Sequence, residues 1–457
     1  MGRNDGKQAD LSLSRRRFLQ GSAAVALSAT AAVPSVSAGV HPGGDETLKV
    51  ALIGCGGRGT GAAVQALSTK GPVTLWAMAD AFGDRLDASY KQLVKGGHFS
   101  RSPDAGPSAA QVEVPPERRF VGLDAYRKVM ALEDVDVVIQ ATPPAFRPIH
   151  FDAAIESGKH VFMEKPVATD AWGIRKVLAA AAEADRKGLK VGVGLNRRHS
   201  PLYQQTLQRV HDGVIGRINA LRIYNVRGGS GKYHERQPDE TELEYQVRHW
   251  YYFSWLSGDF IVEQSVHDLD VACWMKGCHP IAAQGQGGRL VRSGDDYGNV
   301  FDHFYVDYDF PDGSKLLSQH RHIPNCWNHV AEYADGAEGR ASVVSKRKGA
   351  IQRYGSDEPL WQAKEQGNSY QIEHDRLFDA IRNDRPFNEA VQGAESTMTA
   401  ILGRMAAYCG QTLTWEEALH CEKPLITEAE TWQAPAPVRP QPDGGYEIPV
   451  PGVTKVL

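Results

Sequence analysis

The sequence predicts an α/β protein of two domains, in which a parallel sheet with helices on both faces precedes an α+β domain with a large, mainly antiparallel open sheet. Short apolar runs of strand type alternate with helical segments from residue 48 to residue 194, which favours the parallel sheet. Apolar and polar residues then alternate with a period of two at 218–226 and 301–322, which is typical of antiparallel strands. A chain of 457 residues is long enough for two cores.

The elements of the first domain follow one another in β-α order. Runs rich in Val, Ile, Leu and Ala predict buried strands at 48–53, 73–79, 135–141 and 160–163. Helices are expected between them at 62–67 and 149–157, and a helix at 171–187 and a strand at 189–194 lead into the second domain. A further helix is expected near the end of that domain, at 393–409, where Gly410 stops it.

Composition and charge narrow the class of function. The residues are 42% hydrophobic and 23% charged, which is typical of a soluble globular protein. A formal net charge of −4, with no long basic run beyond the N-terminus, argues against nucleic acid and anionic membranes as partners. We therefore expect a small-molecule ligand. No metal is expected, because Cys273, Cys278 and His279 lack a second cysteine pair with zinc-finger spacing.

The N-terminus resembles an export signal. Residues 14–20 read SRRRFLQ, which resembles the twin-arginine motif, and an Ala-rich apolar run follows at 21–33. This run is too short to span a bilayer, and small residues at 36–38 suit a signal peptidase. We therefore expect a signal peptide over 1–38, a linker over 39–47 and a periplasmic mature protein without a membrane span. Export in the folded state needs no disulfides, so the cysteines are expected as free thiols.

A glycine-rich turn follows the first strand. It contains Gly54, Cys55, Gly56, Gly57, Arg58 and Gly59, all predicted to lie near a cofactor. The G-x-G-x-x-G spacing between a strand and a helix is typical of a dinucleotide-binding turn, in which Gly54 allows the turn and Gly56 lets a pyrophosphate approach the backbone. Asp80 ends the second strand, where a carboxylate binds a ribose and repels a 2′-phosphate, so NAD is favoured over NADP. Alternatively, the glycines only pack helix on strand and Asp80 caps a turn.

A second group of candidate residues follows the later strands of the sheet. Thr142 and Pro143 come after one strand, and Glu164, Lys165 and Pro166 come after the next. Open parallel sheets bind ligands at this carboxyl edge. Because Pro166 restricts Lys165 to extended backbone geometry, the ammonium group is directed rather than free. By itself, a Glu-Lys pair at a strand end is more often simply solvated.

A candidate proton acceptor lies in the second domain. If residues 258–270 form one helix, Glu263, His267 and Asp270 share one face at positions i, i+4 and i+7. A histidine between two carboxylates has a fixed tautomer and a raised affinity for a proton, which suits a general base for an alcohol. The alternative is a core histidine that bonds to a carboxylate.

Other residues of the second domain are candidates for contact with a sugar. Arg248, Trp250 and Tyr251 belong to an aromatic segment, and aromatic rings stack on the apolar face of sugars while Arg and Tyr bond their hydroxyls. Arg198 and Asp270 are further substrate candidates. For the aromatic residues, a buried core cluster is an equally good interpretation.

As a set, these motifs resemble the glucose-fructose oxidoreductase, inositol dehydrogenase and rhizopine-catabolism family, Gfo/Idh/MocA. The resemblance covers roughly residues 48–420 and depends on the glycine turn, Thr142-Pro143, Glu164-Lys165-Pro166 and the H-x-x-D segment that ends at Asp270. It implies that Lys165 contacts the substrate and the nicotinamide ribose and that His267 is the catalytic histidine. It also implies a homodimer or homotetramer formed through the open face of the second sheet. Glu263 stands where relatives usually have Asp, and Arg147 where many have His.

The expected domain organisation follows from these assignments. A Rossmann NAD(P)-binding domain is expected over 48–170, a connecting helix and strand over 171–195, and a substrate and oligomerisation domain over 196–425. Six prolines between 435 and 451 predict an extended tail over 426–457 that lies on the surface or on a neighbouring subunit.

The residues and the resemblance together predict an enzyme. We expect hydride transfer between a carbohydrate or cyclitol hydroxyl and a nicotinamide that stays bound, because an exported enzyme meets little free NAD. One alternative is a redox-neutral, NAD-dependent glycoside hydrolase that works through a 3-keto intermediate. Another is a non-catalytic sugar-binding protein that retains the dinucleotide fold.

Overall fold

The computed structural model describes residues 46–96, 108–229, 233–426, 431–442 and 444–457. The predicted signal peptide and most of the linker lie outside the described residues. Within these ranges no helix combines the length and the apolar character needed to cross a membrane. All six cysteines are free thiols, as expected.

The first domain contains a six-stranded parallel sheet. Its strands are β1 (Leu48–Ile53), β2 (Val73–Asp80), β3 (Arg119–Val121), β4 (Val137–Gln140), β5 (His160–Met163) and β6 (Val191–Val193). Their spatial order is β3-β2-β1-β4-β5-β6, which is the order of a Rossmann sheet. Five helices accompany them: α1 (Gly57–Leu67), α2 (Gly83–Lys95), α3 (Ala125–Met130), α4 (Arg147–Glu156) and α5 (Ala171–Arg186).

Alternate side chains of β1 point to opposite faces of this sheet, and both faces are covered. Leu48, Val50 and Leu52 point into one hydrophobic cluster, which includes residues of α1. Ala51 and Ile53 point into the other cluster, on the opposite face. A strand that is buried on both faces reads as a continuous apolar run, which is how it was recognised in the sequence.

The second domain is built on a nine-stranded sheet. The elements from residue 201 onward, of which α11 packs on the parallel sheet, are α6 (Pro201–His211), β7 (Ile218–Arg227), α7 (Glu242–Arg248), α8 (Ser254–Ser257), α9 (Asp259–Glu263), α10 (Val266–Lys276), β8 (Ala282–Gly288), β9 (His303–Asp309), β10 (Lys315–His322), β11 (His329–Gly336), β12 (Gly339–Val344), β13 (Lys348–Arg353), β14 (Trp361–Lys364), α11 (Ser369–Arg382), α12 (Ala390–Cys409), β15 (Leu413–Thr414) and α13 (Trp415–Leu419). The strand order is β14-β13-β12-β11-β7-β10-β9-β8-β15. All its neighbouring strands are antiparallel except β7 and β10.

This arrangement confirms the predicted fold class. Helices α10 and α12 pack on one face of the large sheet, where Phe304, Val306 and Tyr308 of β9 are buried. Tyr305, between them, lies on the other face and is exposed. The sheet is therefore open on that side, because alternate residues of one strand point to opposite faces.

The described part of the tail is an extended strap that packs on its own chain. Ala436 and Tyr446 are buried in a hydrophobic cluster to which Phe82 and Ala145 of the first domain also belong. Phe253 of the second domain completes this core and stands edge-on to Tyr446. The strap therefore holds the two halves of the protein together at the edge where the parallel strands end.

Candidate active site

The glycine turn has room for a phosphate group at only some of its positions. Gly54 has a φ of +96°, and a Cβ atom there would lie 2.6 Å from the backbone of Ala141. A Cβ atom at Gly59 would overlap the carbonyl oxygen of Gly54, so these two glycines allow close packing of turn and helix. A Cβ atom at Gly56 or Gly57 would meet no protein atom within 4 Å.

Helix α1 begins inside this turn, at Gly57, rather than at residue 62 as expected. Glycine has a low helix propensity, so the sequence gives no signal for this first turn of helix. Its N-cap residue, Gly56, has no capping side chain, and the first turn carries no acidic residue. The open space and the helix N-terminus together fit the negatively charged pyrophosphate of a dinucleotide.

Asp80 is fixed beside the turn by two backbone donors. Its Oδ2 accepts a hydrogen bond from the N–H of Cys55 at 2.6 Å, and its Oδ1 accepts one from the N–H of Phe82 at 2.9 Å. Burial raises the pKa of this carboxyl group, and the two N–H donors oppose that rise. A carboxylate oxygen has two lone pairs, so each keeps one for a ribose hydroxyl.

Phe82, two residues after Asp80, lies between a cation and an aromatic ring. The guanidinium of Arg248 stands 3.8 Å from the centre of the Phe82 ring. The ring of Trp432, in the tail, stacks on Phe82 with centroids 5.0 Å apart and planes 15° apart. Arg248 also pairs with Asp84, at 3.2 Å. Arg248, a candidate for sugar contact, therefore lies at the edge of the dinucleotide site.

Two other aromatic candidates belong to the hydrophobic core. Tyr251 is buried, and Trp250 is half-buried with its ring edge-on to that of Tyr251. Both belong to or pack against the large core cluster that the two domains share. Their surroundings match the core interpretation that the sequence left open.

The Lys165–Pro166 peptide bond is cis, and Arg147 holds the turn that contains it. The Arg147 guanidinium donates to the carbonyl oxygens of Pro166 and Thr142, the latter at 2.7 Å. Arg147 is buried, which lowers its pKa to about 10. It therefore joins the ends of β4 and β5, a role that the sequence did not indicate. Pro143 follows at the same carboxyl edge of β4.

Glu164 connects this edge to the glycine turn. Its Oε1 forms an ion pair with Nε of Arg58, 2.9 Å away, and the carboxylate is almost entirely buried. Two residues that were predicted separately to lie near a cofactor are thus in direct contact with each other. The half-buried Arg58 side chain lies over the ring of Tyr370, 5.1 Å from its centre.

Lys165 reaches from the first domain to the second. Its Nζ lies 3.0 Å from Oε1 of Glu263 and also donates to the Glu263 carbonyl oxygen. The two side chains are only 14% and 11% exposed. The structure therefore brings together two residues that are distant in sequence and that were each predicted to take part in the chemistry.

The segment 258–270 is not one helix, as the shared-face argument assumed. Helix α9 ends at Glu263, and α10 starts at Val266. Between them, the N–H of Ser265 bonds to the carbonyl oxygen of Phe260, five residues earlier, which widens the turn. His267 is the second residue of α10 and is half-buried.

Asp270 does not flank His267 as a free carboxylate. It accepts hydrogen bonds from Nε of Arg198 at 2.9 and 3.0 Å and from the Ser396 hydroxyl at 2.6 Å. The expected pair of carboxylates beside His267 is therefore wrong for Asp270, which binds Arg198. Sequence spacing could not reveal this, because the partners of Asp270 come from other parts of the chain.

Buried ion pairs fix the helix that carries His267. Asp268 lies 2.8 Å from Nη1 of Arg197, and Glu332 of β11 pairs with the same guanidinium. Asn225 donates to the other oxygen of Asp268 at 2.7 Å. Burial and the neighbouring Asp268 carboxylate raise the pKa of Glu332 to about 8, although Arg197 opposes this rise. Helix α10 is thus anchored by charge on the face that meets the large sheet.

Comparison with known proteins finds a family model that is similar to the first domain. Residues 48–194 match the model of the oxidoreductase family with an NAD-binding Rossmann fold, GFO_IDH_MocA. The chain is 23% identical over 225 residues to the inositol 2-dehydrogenase of Rhizobium meliloti, which covers 49% of this chain and 62% of that protein. It is 31% identical over 178 residues to a glycosyl hydrolase family 109 protein of Streptomyces coelicolor, which covers 38% of this chain and 32% of that protein.

The chain thus spans less than two thirds of the length of these curated relatives. A solved structure extends the likeness to the second domain. The aldose-aldose oxidoreductase from Caulobacter crescentus, complexed with glycerol, matches with a TM-score of 0.61 over 81% of this chain and 100% of that chain, at 20% identity. This similarity shows a common fold.

Proposed function

We propose that the protein is an NAD-dependent oxidoreductase that acts on a hydroxyl of a carbohydrate or cyclitol, since residues 48–194 match the model of the oxidoreductase family with an NAD-binding Rossmann fold. The observation that carries the proposal is the contact between Lys165 and Glu263 at the carboxyl edge of the parallel sheet, 3.0 Å apart and largely shielded from water. The relative named inositol 2-dehydrogenase supports the class of substrate.

The residues that would hold the dinucleotide lie along one edge. The open space at Gly56 and the start of α1 would take the pyrophosphate, and Asp80 would take the adenosine ribose. When bound, the nicotinamide supplies the group that accepts or donates a hydride. The Asp80 carboxylate disfavours a 2′-phosphate, so NAD is favoured, with NADP possible.

The protein's own contribution is to control a proton. His267 would take the hydroxyl proton of the substrate, since a neutral imidazole accepts a proton near neutral pH. The Lys165 ammonium would stabilise negative charge that develops on the same oxygen. Glu263 holds that ammonium in place through both its carboxylate and its carbonyl oxygen.

A His267→Ala variant tests these assignments. We expect it to bind NAD with the affinity of the wild type and to lose at least about 100-fold in kcat, the usual contribution of a general base. His420→Ala is the matched control, because that histidine is exposed and lies beyond α13. Retained turnover in His267→Ala would remove the histidine from the mechanism, and loss of NAD binding would make its role structural.

A second candidate activity is redox-neutral cleavage of a glycosidic bond through a 3-keto intermediate. It is favoured by the 31% identity to the glycosyl hydrolase family 109 protein. The two activities differ in their electron balance. Release of aryl alcohol from an aryl glycoside without net NADH formation would identify the glycosidase, whereas NADH formation from a free sugar or cyclitol would identify the dehydrogenase.

The assembly and location of the protein are part of the proposal. A homodimer or homotetramer through the open face of the large sheet is supported by the aromatic cluster of Tyr224, His329 and Tyr333. Light scattering of the purified protein measures its mass. Export to the periplasm is supported by the twin-arginine motif at 14–20, and fractionation of cells with Arg15 and Arg16 replaced by Lys tests it.

A further inference from the structure

The tail encloses a small cavity beside helix α12. The cavity has a volume of about 170 Å³ and lies between α12, the start of α5 and the residues near 454–456. Much of its wall is apolar and includes Met405, Leu425 and Pro449. An engineered apolar cavity of about 150 Å³ binds benzene, so this one has room for a small organic molecule.

Arg404 lies in the wall of this cavity without an anionic partner. The residue is only 4% exposed, and its Nη1 atom is buried with no hydrogen-bond acceptor. Within the ranges that the structure describes, no carboxylate forms an ion pair with this guanidinium. Burial lowers the pKa of Arg404. A buried cation without a partner among the described residues is unfavourable, so the arrangement favours the binding of an anion.

Two described carboxylates, Asp170 and Asp259, influence Arg404 through space but are bonded to other donors. Asp170, in the cavity wall, accepts hydrogen bonds from the backbone N–H groups of Gly173 at 2.7 Å and Leu425 at 2.6 Å. Asp259 accepts the hydroxyl of Tyr408 at 2.7 Å. Both carboxylates act on the guanidinium only through space. Neither therefore supplies the bidentate contact that an arginine of this kind makes with a carboxylate.

We propose that this cavity binds a small organic carboxylate. The planar guanidinium of Arg404 would donate to both carboxylate oxygens, and the hydrocarbon part would lie against the apolar wall. Lys423 and Lys455 line the cavity and are exposed, so among the described residues of the wall there are three cations and one carboxylate, that of Asp170. This charge balance favours an anion, and the apolar wall favours an organic anion over strongly hydrated phosphate.

The site is separate from the proposed oxidoreductase centre. Neither Lys165 nor His267 lines the cavity, and the glycine turn lies elsewhere in the fold. Binding can therefore be measured without turnover. Sodium hexanoate is a suitable probe, because its chain is short and its head is a carboxylate. Isothermal titration and the rise in Tm of the purified protein give the affinity, with 1-hexanol, sodium phosphate and sodium chloride of equal ionic strength as controls.

We expect hexanoate to bind saturably to the wild type. We expect no saturable binding of 1-hexanol, phosphate or chloride. Arg404→Met should weaken the binding of hexanoate at least about tenfold, since hydrogen bonds between charged groups are about twice as strong as neutral ones. Because the methionine removes a buried unpaired charge, the Tm without ligand should be unchanged or higher. Lys455→Gln, at an exposed position, should weaken hexanoate by about two- to fivefold.

Several outcomes would overturn the proposal. One is the absence of hexanoate binding above the salt control. Another is equal affinity in wild type and Arg404→Met, or, should that variant not fold, equal affinity in wild type and Lys455→Gln. Binding of phosphate in place of hexanoate would also overturn it, since that would mean a site for inorganic anions. The matched variant Arg404→Lys should bind hexanoate more weakly than the wild type, because lysine lacks the planar fork.

Discussion

Adding one methyl group to neighbouring glycines should separate cofactor binding from folding. In Gly56→Ala the new Cβ atom meets no protein atom within 4 Å, so the free energy of unfolding should stay within about 0.5 kcal/mol of wild type. The same methyl group occupies the space that the pyrophosphate needs at the start of α1. We expect NAD affinity to fall at least about tenfold, which is roughly 1.4 kcal/mol.

Two further variants give the comparison its controls. In Gly59→Ala the Cβ atom overlaps the carbonyl oxygen of Gly54, a backbone atom that cannot rotate away. Overpacking of this kind costs about 1–3 kcal/mol of stability, so the free energy of unfolding should fall by this amount even without NAD. In Gly61→Ala, further along the same helix, the new atom lies 3.4 Å from the Arg58 side chain. The free energy of unfolding of that variant should rise by up to about 1 kcal/mol, and its NAD affinity should be unchanged.

Urea denaturation measures the free energies of unfolding, and titration calorimetry measures NAD affinity in the same preparations. Wild-type NAD affinity in Gly56→Ala would refute the placement of the pyrophosphate. Wild-type stability in Gly59→Ala would refute the tight packing of turn and helix. A stability loss in Gly56→Ala as large as that in Gly59→Ala would show that the open space is not present.

Three other expectations follow from buried contacts. Arg197→Met leaves Asp268 buried without its cation and should cost about 3–5 kcal/mol of unfolding free energy in urea; a loss below 1 kcal/mol would contradict this. Burial lowers the pKa of His320 to about 4. The unfolded chain therefore takes up a proton on this histidine near pH 6.5, whereas the folded chain does not. Because the unfolded state binds more protons, acid favours unfolding. When the pH falls from 7 to 5, this histidine should lower the free energy of unfolding by about 2 kcal/mol. The His320→Gln variant should not show this loss. Trp432→Ala removes the stack on Phe82 and should speed NAD release about two- to tenfold in stopped-flow, whereas an unchanged rate would separate the tail from the cofactor.

The sequence predicted the parts of this protein that depend on local pattern. The turn at 54–59 was recognisable because glycine spacing, strand and helix are neighbours in the chain. Lys165 and Glu263 were each predicted from local motifs, but their contact at 3.0 Å is a product of how two domains pack. Motif spacing thus selected the two residues as candidates but did not indicate that they are in contact.

Other features left no trace in sequence pattern. The break between α9 and α10 depends on a widened turn at Ser265, and no proline or glycine marks it. Asp270 was expected beside His267, yet it binds Arg198, because electrostatic partners are chosen in three dimensions. The position of Arg248 over Phe82 likewise depends on tertiary packing of distant segments.

The stack of Trp432 on Phe82 also has a consequence for biosynthesis. Phe82 and the whole parallel sheet leave the ribosome long before Trp432 does, and domains fold as units during synthesis, N-terminal first. The nascent first domain therefore exists for a time without the strap across its edge. In this interval a dinucleotide can enter freely, and the later arrival of residues 431–442 closes the edge behind it. The order of synthesis would thus allow the dinucleotide to enter its site without any hinge motion of the strap.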